Sequence, residues 1–181
     1  MLTIISGPMF AGKTTRLLQE IRAVPKNKTY LVFKPSIDTR YGVDVCVTHD
    51  GDHVPAVNID AKHPDLSQAI ADGSTAIFID ELNFFNAATL YPEIQTLISK
   101  GISVVGSGLL LDAMKRPFGA THDLLPYADK HIELFAVCDG CNGKAMHSYR
   151  KIKDKHQFLL GADEAYGACC EGCWDKLNAM D

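Results

Sequence analysis

The sequence predicts an α/β fold with a mostly parallel sheet, on three observations. Short, wholly apolar runs recur through most of the chain, segments long enough for amphipathic helices separate them, and polar or glycine-rich turns follow them. A run that is apolar at every position fits a strand buried on both faces, as in a parallel sheet with helices on each side.

In chain order, Leu2–Ser6 reads as the first strand and Thr14–Val24 as the helix after it. Tyr30–Phe33 is the next strand, Asp65–Asp72 a short helix, and Ala76–Ile79 a third strand. Within Ala87–Lys100, residues Leu90, Ile94, Leu97 and Ile98 fall on one helical face, and Gly101 is placed to stop the helix. Ser103–Val105 and Ile132–Val137 complete the strands. Residues 1–136 are thus expected to form an α/β core. Residues 137–181 follow another pattern: two Cys-x-x-Cys pairs, a charged stretch at Lys151–His156 and no strong helical period before Glu171. They read as a small irregular module held by something other than core volume.

At 181 residues the chain has the size of one domain with a small appendage, and it can bury an ordinary core. Its 46% apolar and 22% charged residues argue against disorder. A net charge of −4 gives no basic surface for nucleic acid, so phosphates must be met by local groups. The start, MLTIISGPMF, lacks a basic leading region, and no run approaches the roughly 18 apolar residues of a membrane span. The expectation is a cytoplasmic protein, with neither nucleic acid nor membrane as partner. Its six cysteines would be reduced, so paired ones read as metal ligands rather than disulfides.

Gly7-Pro8-Met9-Phe10-Ala11-Gly12-Lys13-Thr14 matches GxxxxGK[ST] in full, with a strand before it and a helix after it. Gly7 and Gly12 let the backbone curl so that successive N–H groups face phosphate oxygens. The helix beginning at Lys13–Thr14 turns its positive end to the same anion. Lys13 would reach the β- and γ-phosphates of ATP, and the Thr14 hydroxyl would ligate Mg²⁺. The core is therefore expected to be P-loop NTPase-like. Ile77-Phe78-Ile79-Asp80-Glu81 supplies the other half, an apolar strand ending in acids. Asp80 is the metal-side carboxylate, and Glu81, at the carboxyl end of a strand, is placed to take a proton from an attacking hydroxyl or to orient a water.

Cys138-x-x-Cys141 and Cys170-x-x-Cys173 fit a closed, four-thiolate structural Zn²⁺ site. Cys169 could pair with Cys173 instead, although the two-residue spacing favours Cys170. Cys46 reads as a small apolar side chain. A zinc ribbon for nucleic acid is a competing reading, but Asp139, Asp163, Glu164 and Glu171 make the region a poor phosphate binder.

An ordered set of blocks resembles the type II, zinc-containing thymidine kinases over nearly the whole chain. The blocks are GPMFAGKT at 7–14, DTRY at 38–41, THDG at 48–51, IDELNFF at 79–85, PFG at 117–119 and AVCDGC at 136–141, followed by Gly161, Tyr166 and Cys170–Cys173. The resemblance implies transfer of the γ-phosphoryl group of ATP to the 5′-hydroxyl of deoxythymidine, giving dTMP. It makes Glu81 the general base, places Asp38 and Arg40 near the metal and the transferring group, and sets Asp80 and Asn83 beside ATP. Met9, Phe84, Leu109 and Phe118 would wall the base pocket, with Ser148 and Tyr166 against the nucleoside. Gln157, Phe158, Leu159, Leu160 and Gly161 would grip the thymine edge through main-chain groups, and the zinc would close the base of that loop. A homo-tetramer or dimer and inhibition by the end-product triphosphate are also implied.

The chain departs from the family pattern at Leu82 and Asn83, where a small residue and Gln are usual. It departs also at Asp112–Ala113, where a Phe is common, and at Ala162 in place of Gly. An Ala for a ring leaves room for a larger 5-substituent or a different base, unless neighbouring side chains fill the gap. The rival readings are a kinase for another deoxynucleoside, a nucleotide-switched binding module and a non-catalytic zinc scaffold. The complete phosphate loop argues against the last.

Overall fold

The computed structural model describes residues 1–38, 44–48, 51–152 and 164–178. The strands are β1 (Leu2–Ser6), β2 (Tyr30–Pro35), β3 (Val45–Val47), β4 (His53–Pro55), β5 (Val57–Ile59), β6 (Ala76–Ile79), β7 (Ser103–Gly108), β8 (Lys130–Glu133), β9 (Ala136–Val137), β10 (Lys144–Ala145), β11 (His147–Arg150) and β12 (Tyr166–Cys169). The helices are α1 (Lys13–Arg22), α2 (Ser67–Ala71), α3 (Ala87–Ser99), α4 (Gly119–Leu124) and α5 (Glu171–Asn178).

Six strands form one sheet in the order β5-β2-β6-β7-β1-β8. Every pairing in it is parallel, as the unbroken apolar runs require. Successive residues of each strand feed opposite faces. Ile4, Phe33, Ile77, Ile79 and Val104 pack with Leu90, Ile94 and Leu97 of α3 and with Leu124 of α4. Ile5, Val32, Phe78 and Val105 pack with Leu17, Leu18 and Ile21 of α1. The sheet is therefore sandwiched between helices, and the phosphate-loop strand β1 stands in its interior, between β7 and β8.

The predicted helix after residue 86 begins where the Asn86 side chain accepts the N–H of Ala88 at 2.9 Å. It stops at Gly101, whose φ of 81° is the left-handed value that glycine tolerates. The expected run Ile132–Val137 divides. β8 completes the sheet edge, Leu134 donates its N–H to the Ser6 carbonyl at 2.7 Å, and the chain then leaves to form β9, antiparallel to β10. Its apolar character continues because a second cluster begins there: Cys138, Ala145, Ala168 and Cys169, with Trp174 packed on them. The short elements α4 and β5 and the β3–β4 hairpin were not legible, being too brief to show a period. Among the described residues no helix is long and apolar enough to cross a membrane.

Candidate active site

Residues 7–12 join β1 to α1 as a tight loop. A Cβ on Gly7 would stand 2.7 Å from the Leu134 carbonyl oxygen and 2.9 Å from the Ala11 Cβ, so only glycine lets the loop close there. Gly12 caps α1 at φ 76°, and Phe10 is also left-handed at φ 62°. The Lys13 Nζ donates to the Pro8 carbonyl at 2.7 Å, folded back along the loop.

β6 ends beside this loop and delivers Asp80. Thr14 Oγ1 donates to Asp80 Oδ2 at 3.3 Å, and the Cys46 thiol donates to the same oxygen at 3.2 Å. The Ser107 hydroxyl and the Glu81 N–H, the latter at 3.0 Å, donate to Oδ1. The carboxylate is thus oriented from β3, from the ends of β6 and β7, and from the first turn of α1. Glu81 adopts φ 54°, ψ 45°, a left-handed conformation unfavourable for a side chain of its kind, held between the strand and the turn at Leu82–Phe84. Asp38 lies near the same place, only 6% exposed, with the Lys34 ammonium 3.9 Å from its carboxylate. Thr14, Lys34, Asp38, Cys46, Asp80 and Glu81 line one small polar cleft.

Three of these groups went unmarked in the sequence. Ser107 and Lys34 are polar residues at the carboxyl ends of apolar strands, which is the signal that could have found them. Cys46 is indeed packed in the core beside α1 but also hydrogen-bonds Asp80. Burial, reinforced by the Asp80 charge, pushes its thiol far above the ordinary range, so it stays protonated.

On the other side of the loop, the Met9 N–H donates to Ser148 Oγ at 2.9 Å, tying the loop to β11. The β11–β12 register pairs Arg150 with Tyr166 and Ser148 with Ala168, which puts Ser148 and Tyr166 on one face of that hairpin. Arg150 Nη2 donates to Tyr166 Oη at 3.2 Å. Phe84 and Phe118 meet edge to face, with ring centroids 5.9 Å apart. Asn83 is 1% exposed, and its Oδ1 accepts the Leu109 N–H at 2.9 Å. A Cβ on Gly119 would fall 2.0 Å from the Asn83 carbonyl oxygen, so Phe118 is carried close against the turn after β6. A mostly apolar cleft of about 270 Å³ runs between Gly7–Pro8, Leu110–Leu111, Glu133–Phe135 and Met146–Ser148. Ser148, expected against the nucleoside, borders it, whereas Met9, Phe84, Leu109 and Phe118, the expected base wall, are not among its lining. Arg40 and the segment Gln157–Gly161 lie outside the described residues.

The sulfurs of Cys138, Cys141, Cys170 and Cys173 lie within 4.8 Å of one another. In a tetrahedral zinc site with Zn–S near 2.3 Å, neighbouring sulfurs stand about 3.8 Å apart. The Cys141 and Cys170 sulfurs are 3.7 Å apart. The turn after Cys138 is built for such a ligand pair. A Cβ on Gly140 would stand 2.9 Å from the Cys173 sulfur, and Asn142 takes φ 58° to bring Gly143 back to the Cys138 N–H. The Cys170 N–H points at the Cys138 sulfur from 3.2 Å and, with those of Gly140 and Cys141, holds that thiol down at about 6. Cys169 is on β12 and buried in the neighbouring cluster, where burial pushes its thiol up to about 12. The four-sulfur group therefore uses Cys170. Asp139 has an internal role, its Oδ2 accepting the Ala168 N–H at 3.2 Å and the Tyr149 hydroxyl at 3.0 Å.

The loop before Phe118 is fastened to the cysteine group. The Trp174 indole N–H donates to the Ala113 carbonyl at 3.2 Å, Lys115 lies 4.0 Å over the Trp174 ring, and Lys115 pairs with Glu171. Trp174 thus occupies the surroundings of Ala113, the position where the sequence lacks an expected ring.

A family model described as "Thymidine kinase" matches residues 1–174. A thymidine kinase of Pseudothermotoga lettingae is 36% identical over 183 residues, covering 99% of this chain and 97% of the relative. One of Mycoplasma mobile is 34% identical, covering 96% and 86%, and one of Porphyromonas gingivalis is 32% identical, covering 98% and 86%.

Proposed function

The chain belongs to the thymidine kinase family, and from that premise we propose that it transfers the γ-phosphoryl group of ATP to the 5′-hydroxyl of deoxythymidine, giving dTMP. The observation that carries this reading is the junction of loop and strand: Asp80 bonded to Thr14, with Glu81 next to it in a strained backbone. ATP lies with its phosphates in the loop of Gly7–Thr14, where backbone N–H groups and Lys13 meet them. Thr14 and Asp80, already converged, are the residues that would hold Mg²⁺, which would supply charge neutralisation to the phosphates. Glu81 takes the proton of the 5′-hydroxyl as that oxygen attacks the γ-phosphorus and the bond to ADP breaks. Arg40 of the DTR segment meets the transferring group with a donor fork suited to phosphate oxygens.

Met9, Phe84, Leu109 and Phe118 wall the base, Ser148 and Tyr166 approach it from one face of the β11–β12 hairpin, and Gln157–Gly161 holds its edge. The four cysteines hold a structural Zn²⁺ at the root of that segment, since residues 142–169 lie between the two pairs. The enzyme works in the cytoplasm as a dimer or tetramer.

A panel of nucleosides with Mg-ATP tests reaction and specificity together. Phosphorylation of thymidine above deoxycytidine and the purine deoxynucleosides is the expected result, and ATP hydrolysis without any nucleotide product refutes it. Glu81→Gln should lower kcat by at least about 10³-fold, at the scale of a lost general base, and leave ATP affinity nearly unchanged. Retained turnover removes Glu81 from that role.

A further inference from the structure

We propose that Lys34 is a positioning residue for phosphoryl transfer, its buried ammonium fixing Asp38 beside Thr14, Asp80 and Glu81. The inference rests on the kinase reading above. Lys34 stands on β2 at the register position next to Asp80: Phe33 pairs with Ile79, and the Asp80 N–H donates to the Phe33 carbonyl at 2.9 Å. Its side chain is 4% exposed and that of Asp38 is 7% exposed, with 3.9 Å between ammonium and carboxylate. Nζ also donates to the Val45 carbonyl at 3.3 Å, which fixes the head group from the β3 side.

An ammonium taken out of water is costly unless paired, and a lysine at this depth would ordinarily be an apolar residue. Here it lines the cleft that also holds the carboxylates of Asp38, Asp80 and Glu81. Those acids and the phosphates of ATP repel one another in a site partly removed from water, so a fixed cation in the same cleft offsets them. Lys13 opens α1 directly after the loop, whereas Lys34 comes from β2, which is separated from the loop's strand β1 by β6 and β7. Acting through Asp38, it sets the carboxylate where the attacking hydroxyl and the γ-phosphoryl group meet. Small misplacement of such a group lowers turnover more than it weakens binding.

The test is a double-mutant cycle with wild type, K34M, D38N and K34M/D38N. Each is assayed for kcat and KM with thymidine and for ATP affinity by equilibrium titration. The expected result is a fall in kcat of about 10²-fold for K34M, with ATP affinity and both KM values changed by less than about threefold. The double variant should be within about threefold of the weaker single one, because residues acting as a unit are not additive. If the two losses multiply, or K34M keeps at least a third of wild-type kcat, the proposal is overturned. K34Q serves as the second variant, and if neither K34M nor K34Q binds ATP, the ammonium serves the fold and the positioning role is refuted. A wild-type chain that binds ATP but phosphorylates no nucleoside overturns the kinase reading, and this inference with it.

Discussion

On the phosphate side, several of the groups around the loop hang from strands buried on both faces: the loop itself from β1, Asp80 from β6, Ser107 from β7 and Lys34 from β2. On the cysteine side, the strands β9 to β12 are two to four residues long and share a small cluster of Cys138, Ala145, Ala168 and Cys169 with its packed neighbours. The first set is positioned by apolar volume, the second by four sulfurs within 4.8 Å. A short hairpin alone is marginal in water, and a metal at the four sulfurs would supply the constraint that so small a cluster lacks. The difference means that the two sides should fail separately.

The largest effect should come from breaking the cysteine group. Structural zinc supplies on the order of 10 kcal/mol to small sites of this type. Cys170→Ser should lose the metal, measured by elemental analysis, and lower thymidine turnover by at least about 10²-fold through misplacement of the substrate segment. ATP affinity should stay within about threefold, since the phosphate loop is carried by β1 and α1 and the Met9–Ser148 hydrogen bond that ties it to β11 is a single neutral one. Parallel loss of ATP binding and turnover would show that the two sides are one cooperative unit.

The mirror-image variant is Ile94→Ala. Ile94 is fully buried beneath the sheet, and truncating such a side chain costs about 2–5 kcal/mol. In a domain of this size that lowers the thermal midpoint by about 5–15 °C. Below the transition, zinc content and the KM for thymidine should be unchanged. A normal midpoint, or a zinc content that falls with Ile94→Ala, contradicts the separation.

What the sequence revealed follows the same division. The strand, loop and helix around Gly7–Thr14, and the strand that ends at Asp80–Glu81, were legible because contiguous residues carry each pattern. Cys170 could be preferred over Cys169 by spacing, and the structure adds the reason: Cys169 completes β12 and is buried in the neighbouring cluster, whereas Cys170 follows the strand's end. Lys34, Ser107 and Cys46 were not legible as site residues, because three separate chain segments bring them to one carboxylate or cleft. The break between β8 and β9 was hidden because an apolar run continued across two different cores.

The smallest effect belongs to the seam between the sides. Trp174→Phe keeps a ring beneath Lys115 but removes the donor to the Ala113 carbonyl. One neutral hydrogen bond contributes about 1 kcal/mol, so the thermal midpoint should fall by only a few degrees. The nucleoside is the more sensitive reporter. Ala113 belongs to the turn that runs into Pro117 and Phe118, and Phe118 is packed edge to face on Phe84. Loosening that turn should raise the KM for thymidine by about two- to fivefold, within the scale of one hydrogen bond, with kcat and ATP affinity constant. If instead 5-ethyl or 5-propyl deoxyuridine becomes a better substrate than before, Trp174 is filling the space that a ring at position 113 would otherwise take. If neither KM nor preference moves, the seam does not reach the base, and the cysteine side acts on substrate through residues 142–169 alone.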